Sequence, residues 1–341
     1  MNHSAHRQFQ YLFSIPLVVG LAFAQNASAA ITVCKSGCAY TSIQAAVTAA
    51  PSGETIRVME GVYIGSVIIT NKNLTLKGVE ANFTVLDRGA PTENSYLPTI
   101  KLHCTSSYQI TITDVTITGG YPYQHFSGGG GVENNGCTVV LSNAVVTNNG
   151  TRLGGGIYNN GNMTVKNSTI INNGAELGGG GIDNEGSLTL VSSFVSDNTT
   201  NSPGYGGGIQ NGGTLVVRYS TITNNYGPYA GGFANTVSGT AQFVESVVAN
   251  NNAYFDGGGL WNVGILSLKA TLVIGNATVE TGGGIYNKAG GTLSLNGSTI
   301  INNTAGTSGG GLFADGTTSV TKTIINNNTP NNCGGSGYTC P

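Results

Sequence analysis

Glu133 and Asp183 are the acidic residues whose spacing could support chemistry. Each follows an apolar residue in a recurring Gly-Gly-Gly-apolar-x-Asn unit, Val132 before Glu133 and Ile182 before Asp183. The same position in the other units holds Tyr158, Gln210, Ala234, Trp261, Tyr286 and Phe313. Side chains alternate along a strand, so an inward apolar residue puts this column outward. Glu133 and Asp183 would then sit two repeats apart, roughly 9–10 Å at the usual strand spacing. That is near the carboxyl separation of an inverting glycosidase. Many surfaces offer such a pair, so these two are weak catalytic candidates; Glu185 and Arg152 are the other charged groups a reactive groove would draw on. Tyr158, Trp261, Tyr286 and Phe313 are the ligand-binding candidates. The last three fall on successive repeats and would make an exposed aromatic strip suited to sugar rings, or else stack on one another beneath a loop. Gly178 to Asp183 fits the Gly-Gly-x-Gly-x-Asp calcium repeat, but only once and without its nine-residue period. After the first thirty residues the only histidines are His103 and His125, and there is no paired Cys-x-x-Cys. The reading is therefore no metal and no cofactor.

The repeat that carries these residues sets the architecture. Its apolar position runs Val132, Ile157, Ile182, Ile209, Phe233, Leu260, Ile285, Leu312, a mean period of about 26 residues and typical of repeat arrays. Each unit holds three short stretches rich in β-branched residues, such as Gly156-Ile157-Tyr158, Met163-Thr164-Val165 and Ser168-Thr169-Ile170-Ile171. None is long enough for a helix. Three strands and three turns make one coil, and a coil buries its apolar face only by stacking on the next. The expected fold is all-β, a right-handed parallel β-helix (solenoid) of about ten or more coils. Asn149, Asn173, Asn198, Asn225, Asn251, Asn276, Asn303 and Asn327 form one expected side-chain ladder along the axis, and the Asn134-to-Asn287 set forms a second.

Charged residues make up 8% of the 341-residue chain, against about 25% in an average soluble domain. Net charge is −2, so nothing provides the clustered Lys and Arg that nucleic acid requires. Residues 1–29 read as an export signal: Arg7, an apolar run from Tyr11 to Ala24, then Ala27-Ser28-Ala29. That run is too short for a membrane span, and no second one follows. Residues 30–341 read as one domain, with a cap and irregular coils over 30–127, regular coils over 128–330 and a stapled end over 331–341. The six cysteines of an exported chain favour disulfides. Fifteen pairings are possible for six cysteines. Spacing favours Cys34–Cys38, Cys104–Cys137 and Cys333–Cys340, the middle pair tying neighbouring coils.

The segment Tyr40–Ala50 reads as a short amphipathic helix, capped by Thr41 or Ser42 and ended by Pro51, that would cover the open edge of the first coil. Strand-like runs follow at Thr55–Met59, Val67–Thr70, Leu74–Lys77, Thr99–His103 and Gln109–Thr118. Ser42-Ile43-Gln44-Ala45-Ala46, Gly53-Glu54-Thr55-Ile56-Arg57-Val58, Gly61-Val62-Tyr63 and Leu74-Thr75-Leu76-Lys77-Gly78 resemble the opening of the pectate-lyase-like β-helix superfamily, pectin methylesterases most of all. The later Gly-Gly-Gly-Ile units, with Ile170 to Asn173 as the Ile-x-x-Asn element, resemble repeats of polymorphic outer-membrane-protein-like surface proteins. These resemblances imply the fold over nearly the whole chain. The acid and base motifs of pectin methylesterases and polygalacturonases are missing, as is the charged groove of pectate lyases. The expectation is a secreted or cell-surface, monomeric, non-catalytic scaffold, adhesin-like or touching a polysaccharide or cell-surface glycan. The rival is a polysaccharide lyase, hydrolase or epimerase of the same superfamily. A water-ordering face would need a flat Thr or Asn row free of bulky side chains, which the aromatic column argues against.

Overall fold

The computed structural model describes residues 31–89, 97–121, 128–201, 203–338 and 340; the expected export signal lies outside them. The chain winds as a right-handed parallel β-helix, and among the described residues it is all-β apart from one short helix. Every inter-strand pairing between named strands is parallel, and equivalent residues stay in register from coil to coil. One face is an 11-stranded sheet, from Gly61–Ile64 to Ile324–Asn326, with one strand per coil. The 21-stranded sheet holds two strands of each coil, continuous in Val132–Ser142 and Ile157–Lys166 and separated in later coils, as in Ile182–Asn184 and Ser187–Val191. A fourth strand of two residues, absent from the three-stretch reading, forms a 7-stranded sheet beginning at Gly150–Thr151 and Gly174–Ala175. It is too short and too poor in apolar residues to leave a periodic signal.

The core is a set of apolar columns. The column from Val132 to Leu312 is 0% exposed throughout. Where Phe233 and Phe243 enter, edge to face with centroids 5.0 Å apart, Ala241 replaces the leucine found at Leu215 and Leu266, so bulk is shared within the coil.

The corners are held by side chains, because a backbone that turns there leaves groups outside the strand ladders. Asn149, Asn173, Asn198, Asn225, Asn251, Asn276 and Asn303 each donate through Nδ2 to Oδ1 of the asparagine one coil on, at 2.9–3.0 Å. The last acceptor is Asn328 rather than the expected Asn327. Asn327 has φ 55° and occupies the turn position before the ladder, as Asn302 does with φ 56°. The second ladder, Asn134 to Asn287, runs at 2.7–2.9 Å. A third was not read from the sequence: hydroxyls of Ser168, Ser193, Ser220 and Ser246 accept the backbone N–H of the equivalent residue one coil earlier.

The glycine triplets follow from close approach. A Cβ on Gly155 would overlap the carbonyl oxygens of Gly174 and Gly180. Gly174 itself would meet the Thr199 hydroxyl at 3.5 Å and its carbonyl oxygen at 3.9 Å, both ordinary contacts. Gly155→Ala is expected to destabilise the fold by about 3 kcal/mol, and Gly174→Ala by under about 1 kcal/mol. Equal unfolding midpoints in guanidinium would contradict this account of the triplet.

Helix α1 spans Ile43–Ala49, with Ser42 as its N-cap accepting from the Ala45 N–H. Ile43, Ala46 and Val47 pack on the first coils. Gln44 pairs with the strand edge: its Oε1 accepts from the Ile68 N–H at 2.6 Å and its Nε2 donates to the Ile68 carbonyl at 3.3 Å. All three spaced disulfides form, Cys34–Cys38, Cys104–Cys137 and Cys333–Cys340. The last holds a terminal strap whose Cys333–Gly334 strand pairs with Leu312 and Phe313.

Candidate functional site

The column read from the sequence exists. Glu133, Tyr158, Asp183, Gln210, Ala234, Trp261, Tyr286 and Phe313 are direct register partners on successive strands. Its exposure does not. Glu133 is 4% exposed, Asp183 1% and Trp261 7%, while Tyr158, Tyr286 and Phe313 are half-buried. The side chains point away from the core as alternation requires, but the connections leading into each glycine triplet fold back over them. Tyr205, Tyr229 and Phe255 on those connections stack on one another at 5.1 and 4.9 Å, and Tyr205 lies 5.4 Å from Trp261. Ala230, Ala234 and Trp261 thus form a small second core, with Lys288 Nζ 5.6 Å from the Trp261 ring. Phe313 packs 5.5 Å from Tyr286 and against the Gly334 strap. Of the two arrangements left open by the sequence, an open strip or stacking beneath loops, Trp261 takes the second, while Tyr286 and Phe313 pack on each other and stay half-buried.

The acidic candidates do come together. Glu133, Tyr158 and Asp183 occupy consecutive strands, and Glu185 lies two residues beyond Asp183. Glu133 pairs with Lys101 at 3.5 Å and accepts from the Asn135 amide at 2.6 Å through Oε1; Oε2 is buried with no partner among the described residues. Asp183 accepts from Gln210 at 3.4 Å. Burial first, and the Glu185 charge second, push its carboxyl up to about 7. Burial also raises Glu185 and, with the charges of Asp183, Glu185 and Glu133, raises the Tyr158 hydroxyl. Within this group Asp183 is the carboxyl that burial favours in its protonated form, with Glu185 and Tyr158 beside it. Two of the group's carboxylates are sealed from solvent, which does not suit a pair that must flank a glycosidic bond.

Arg152 belongs elsewhere. It lines an open cleft of about 700 Å³ across three successive coils, whose spacing is fixed by the Gly150↔Gly174↔Thr199 register. Tyr121 stands at one end, 46% exposed, its ring seated over Gly150 where a Cβ would collide. Asn148, Asn172 and Asp197 rise from the corner, and Arg152 and Glu176 line the cleft with them. Asn148, Asn172, Asp197 and Glu176 are exposed and Arg152 is half-buried. The volume lies in the range of small-ligand sites. An aromatic face beside amides, carboxylates and a guanidinium can stack on an apolar ring face while bonding its hydroxyls. Sequence reasoning named only Arg152 here as a functional candidate, and Asn149 and Asn173 as ladder residues. The remaining signal was the residue before each ladder asparagine, Asx on all three coils.

No known family profile matches the chain, and no curated protein matches it. Among solved structures, pectate lyase Pel9A superposes with a TM-score of 0.52 at 17% identity, covering 86% of this chain and 77% of that one. Pectin methylesterase PemA from Erwinia chrysanthemi gives 0.31 at 11% identity, covering 80% and 79%. The A-module of the Azotobacter vinelandii mannuronan C-5 epimerase AlgE6 gives 0.26 at 15% identity, covering 86% and 93%. The first likeness establishes the shared fold.

Proposed function

We propose that this protein is an exported or cell-surface β-helix scaffold that binds a polysaccharide, without cleaving it, in the cleft of Tyr121, Arg152, Glu176 and Asp197. The cleft carries the reading, because it joins an aromatic platform to convergent polar groups at a volume suited to a sugar chain. Burial of Glu133 and Asp183 supports binding over hydrolysis. Three disulfides and the apolar leading segment support export, and the resemblance of the repeats to bacterial surface proteins supports retention at a surface. The fold shared with a pectate lyase supports carbohydrate as the class of ligand, although fold alone assigns no function.

Arg152→Ala is expected to weaken glycan binding about tenfold, the loss of one charge-assisted hydrogen bond, with an unchanged circular dichroism spectrum. Unchanged affinity in a glycan-panel binding assay would remove the cleft from the account. One observation favours the enzyme instead: Asp183, with its carboxyl near 7, beside Tyr158 and Glu185. Incubation with a polysaccharide panel and mass spectrometry of the supernatant separates the two readings. Released oligosaccharides that disappear in Asp183→Asn would establish catalysis on the column and overturn the scaffold reading.

A further inference from the structure

Asn148, Asn172 and Asp197 are the same corner residue on three consecutive coils, with φ of 54°, 56° and 54°. Each precedes a ladder asparagine (Asn149, Asn173, Asn198) that is fully tied to its neighbours. The ladder therefore fixes the backbone from which the three exposed side chains rise, at the spacing of one strand, about 4.8 Å. That is close to the length of one sugar ring. The next corner residue, Asn224, lies outside the cleft, and Tyr121 ends the row on the other side. The charges follow the same order: Arg152 on the first coil, Glu176 on the second and Asp197 on the third, one cation to two anions.

We propose that the cleft takes a neutral, hydroxyl-rich glycan lying parallel to the helix axis, one sugar to a coil over three coils, with Tyr121 stacking at the end. This rests on the glycan-binding reading above and adds orientation, length and charge class. A neutral sugar offers hydroxyls that donate to Asp197 and Glu176 and accept from Arg152 and the amides. A polyuronate brings a carboxylate on every sugar and would face two carboxylates for each guanidinium.

The test is calorimetric titration of the folded protein with manno-, xylo- and cello-oligosaccharides from monosaccharide to hexasaccharide, and with oligogalacturonates of the same lengths. At least one neutral series is expected to gain affinity up to about the trisaccharide and then level off. Oligogalacturonates are expected to bind at least about tenfold more weakly. Asn172→Gly, which keeps the left-handed backbone and removes only the amide, is expected to erase one step of the length dependence. Affinity still climbing at the hexasaccharide, or oligogalacturonates binding as tightly, would overturn the proposal while Arg152→Ala sensitivity kept the cleft as a glycan site. Absence of binding in every series, or binding untouched by both Asn172→Gly and Arg152→Ala, would overturn the glycan reading of the cleft itself.

Discussion

Replacing Asn225 by alanine is expected to destabilise the protein by about 3–5 kcal/mol, and replacing its neighbour Asn224 by about 1 kcal/mol. Asn225 Oδ1 accepts from the Asn198 N–H and from Asn198 Nδ2, each at 3.0 Å. Its Nδ2 donates to the Val195 carbonyl at 3.0 Å and to Asn251 Oδ1 at 2.9 Å. All of these groups are buried; alanine leaves the Asn198 N–H without its acceptor and breaks the side-chain ladder on both sides, while Asn198 Nδ2 keeps the Ile170 carbonyl and Asn251 Oδ1 keeps the backbone N–H of residue 225, in a place too enclosed for water to replace the amide. Asn224 is exposed with φ 56°, so its alanine variant costs only left-handed backbone strain. For a domain of this size the larger loss corresponds to about 6 °C in melting temperature. A stacked array can also lose cooperativity at a damaged coil, so guanidinium unfolding followed by two probes should broaden in Asn225→Ala and stay sharp in Asn224→Ala. Similar losses for the two variants would show that the ladder contributes little beyond chain geometry.

Asp183→Asn is expected to stabilise the protein above pH 7 and to leave it nearly unchanged near pH 3.5. The folded carboxyl holds its proton up to about pH 7, against 3.8 without burial. Between those values the native state binds more protons than the unfolded chain, so stability falls as pH rises through the window and the full penalty stands above it. A gap of this size corresponds to at most about 4 kcal/mol. Glu185, Tyr158 and the Gln210 amide face this carboxyl from its own and the adjacent coils, with Glu133 one coil further, and Glu185 adds to the penalty. Asparagine keeps the oxygen that Gln210 donates to and removes the charge. Urea unfolding from pH 3.5 to 8.5 should give a wild-type curve that declines toward neutrality and a variant curve that is flatter. Parallel curves would mean that Asp183 ionises without cost, and that burial does not favour its protonated form.

The repeat of Val132 to Leu312 was enough to give the coil, the register and the direction of every column residue, because strand alternation and parallel stacking are local rules applied about every 26 residues. The asparagine ladders were legible for the same reason, to within the one-residue slip between Asn327 and Asn328, which depends on which of two adjacent asparagines takes the left-handed turn. The N-cap of α1 and the Cys34–Cys38 and Cys333–Cys340 pairs were likewise set by short-range spacing, and Cys104–Cys137 joins neighbouring coils across 33 residues. Exposure was not legible. Whether Trp261 meets solvent depends on the paths of the connections bearing Tyr205, Tyr229 and Phe255, and these differ in length from coil to coil. The cleft needed the same information, since Tyr121, Arg152, Glu176 and Asp197 are scattered over 77 residues of chain, one to a coil, and meet only because four successive coils stack. Local pattern thus determined which way each side chain points, and only the tertiary structure decided what lies in front of it.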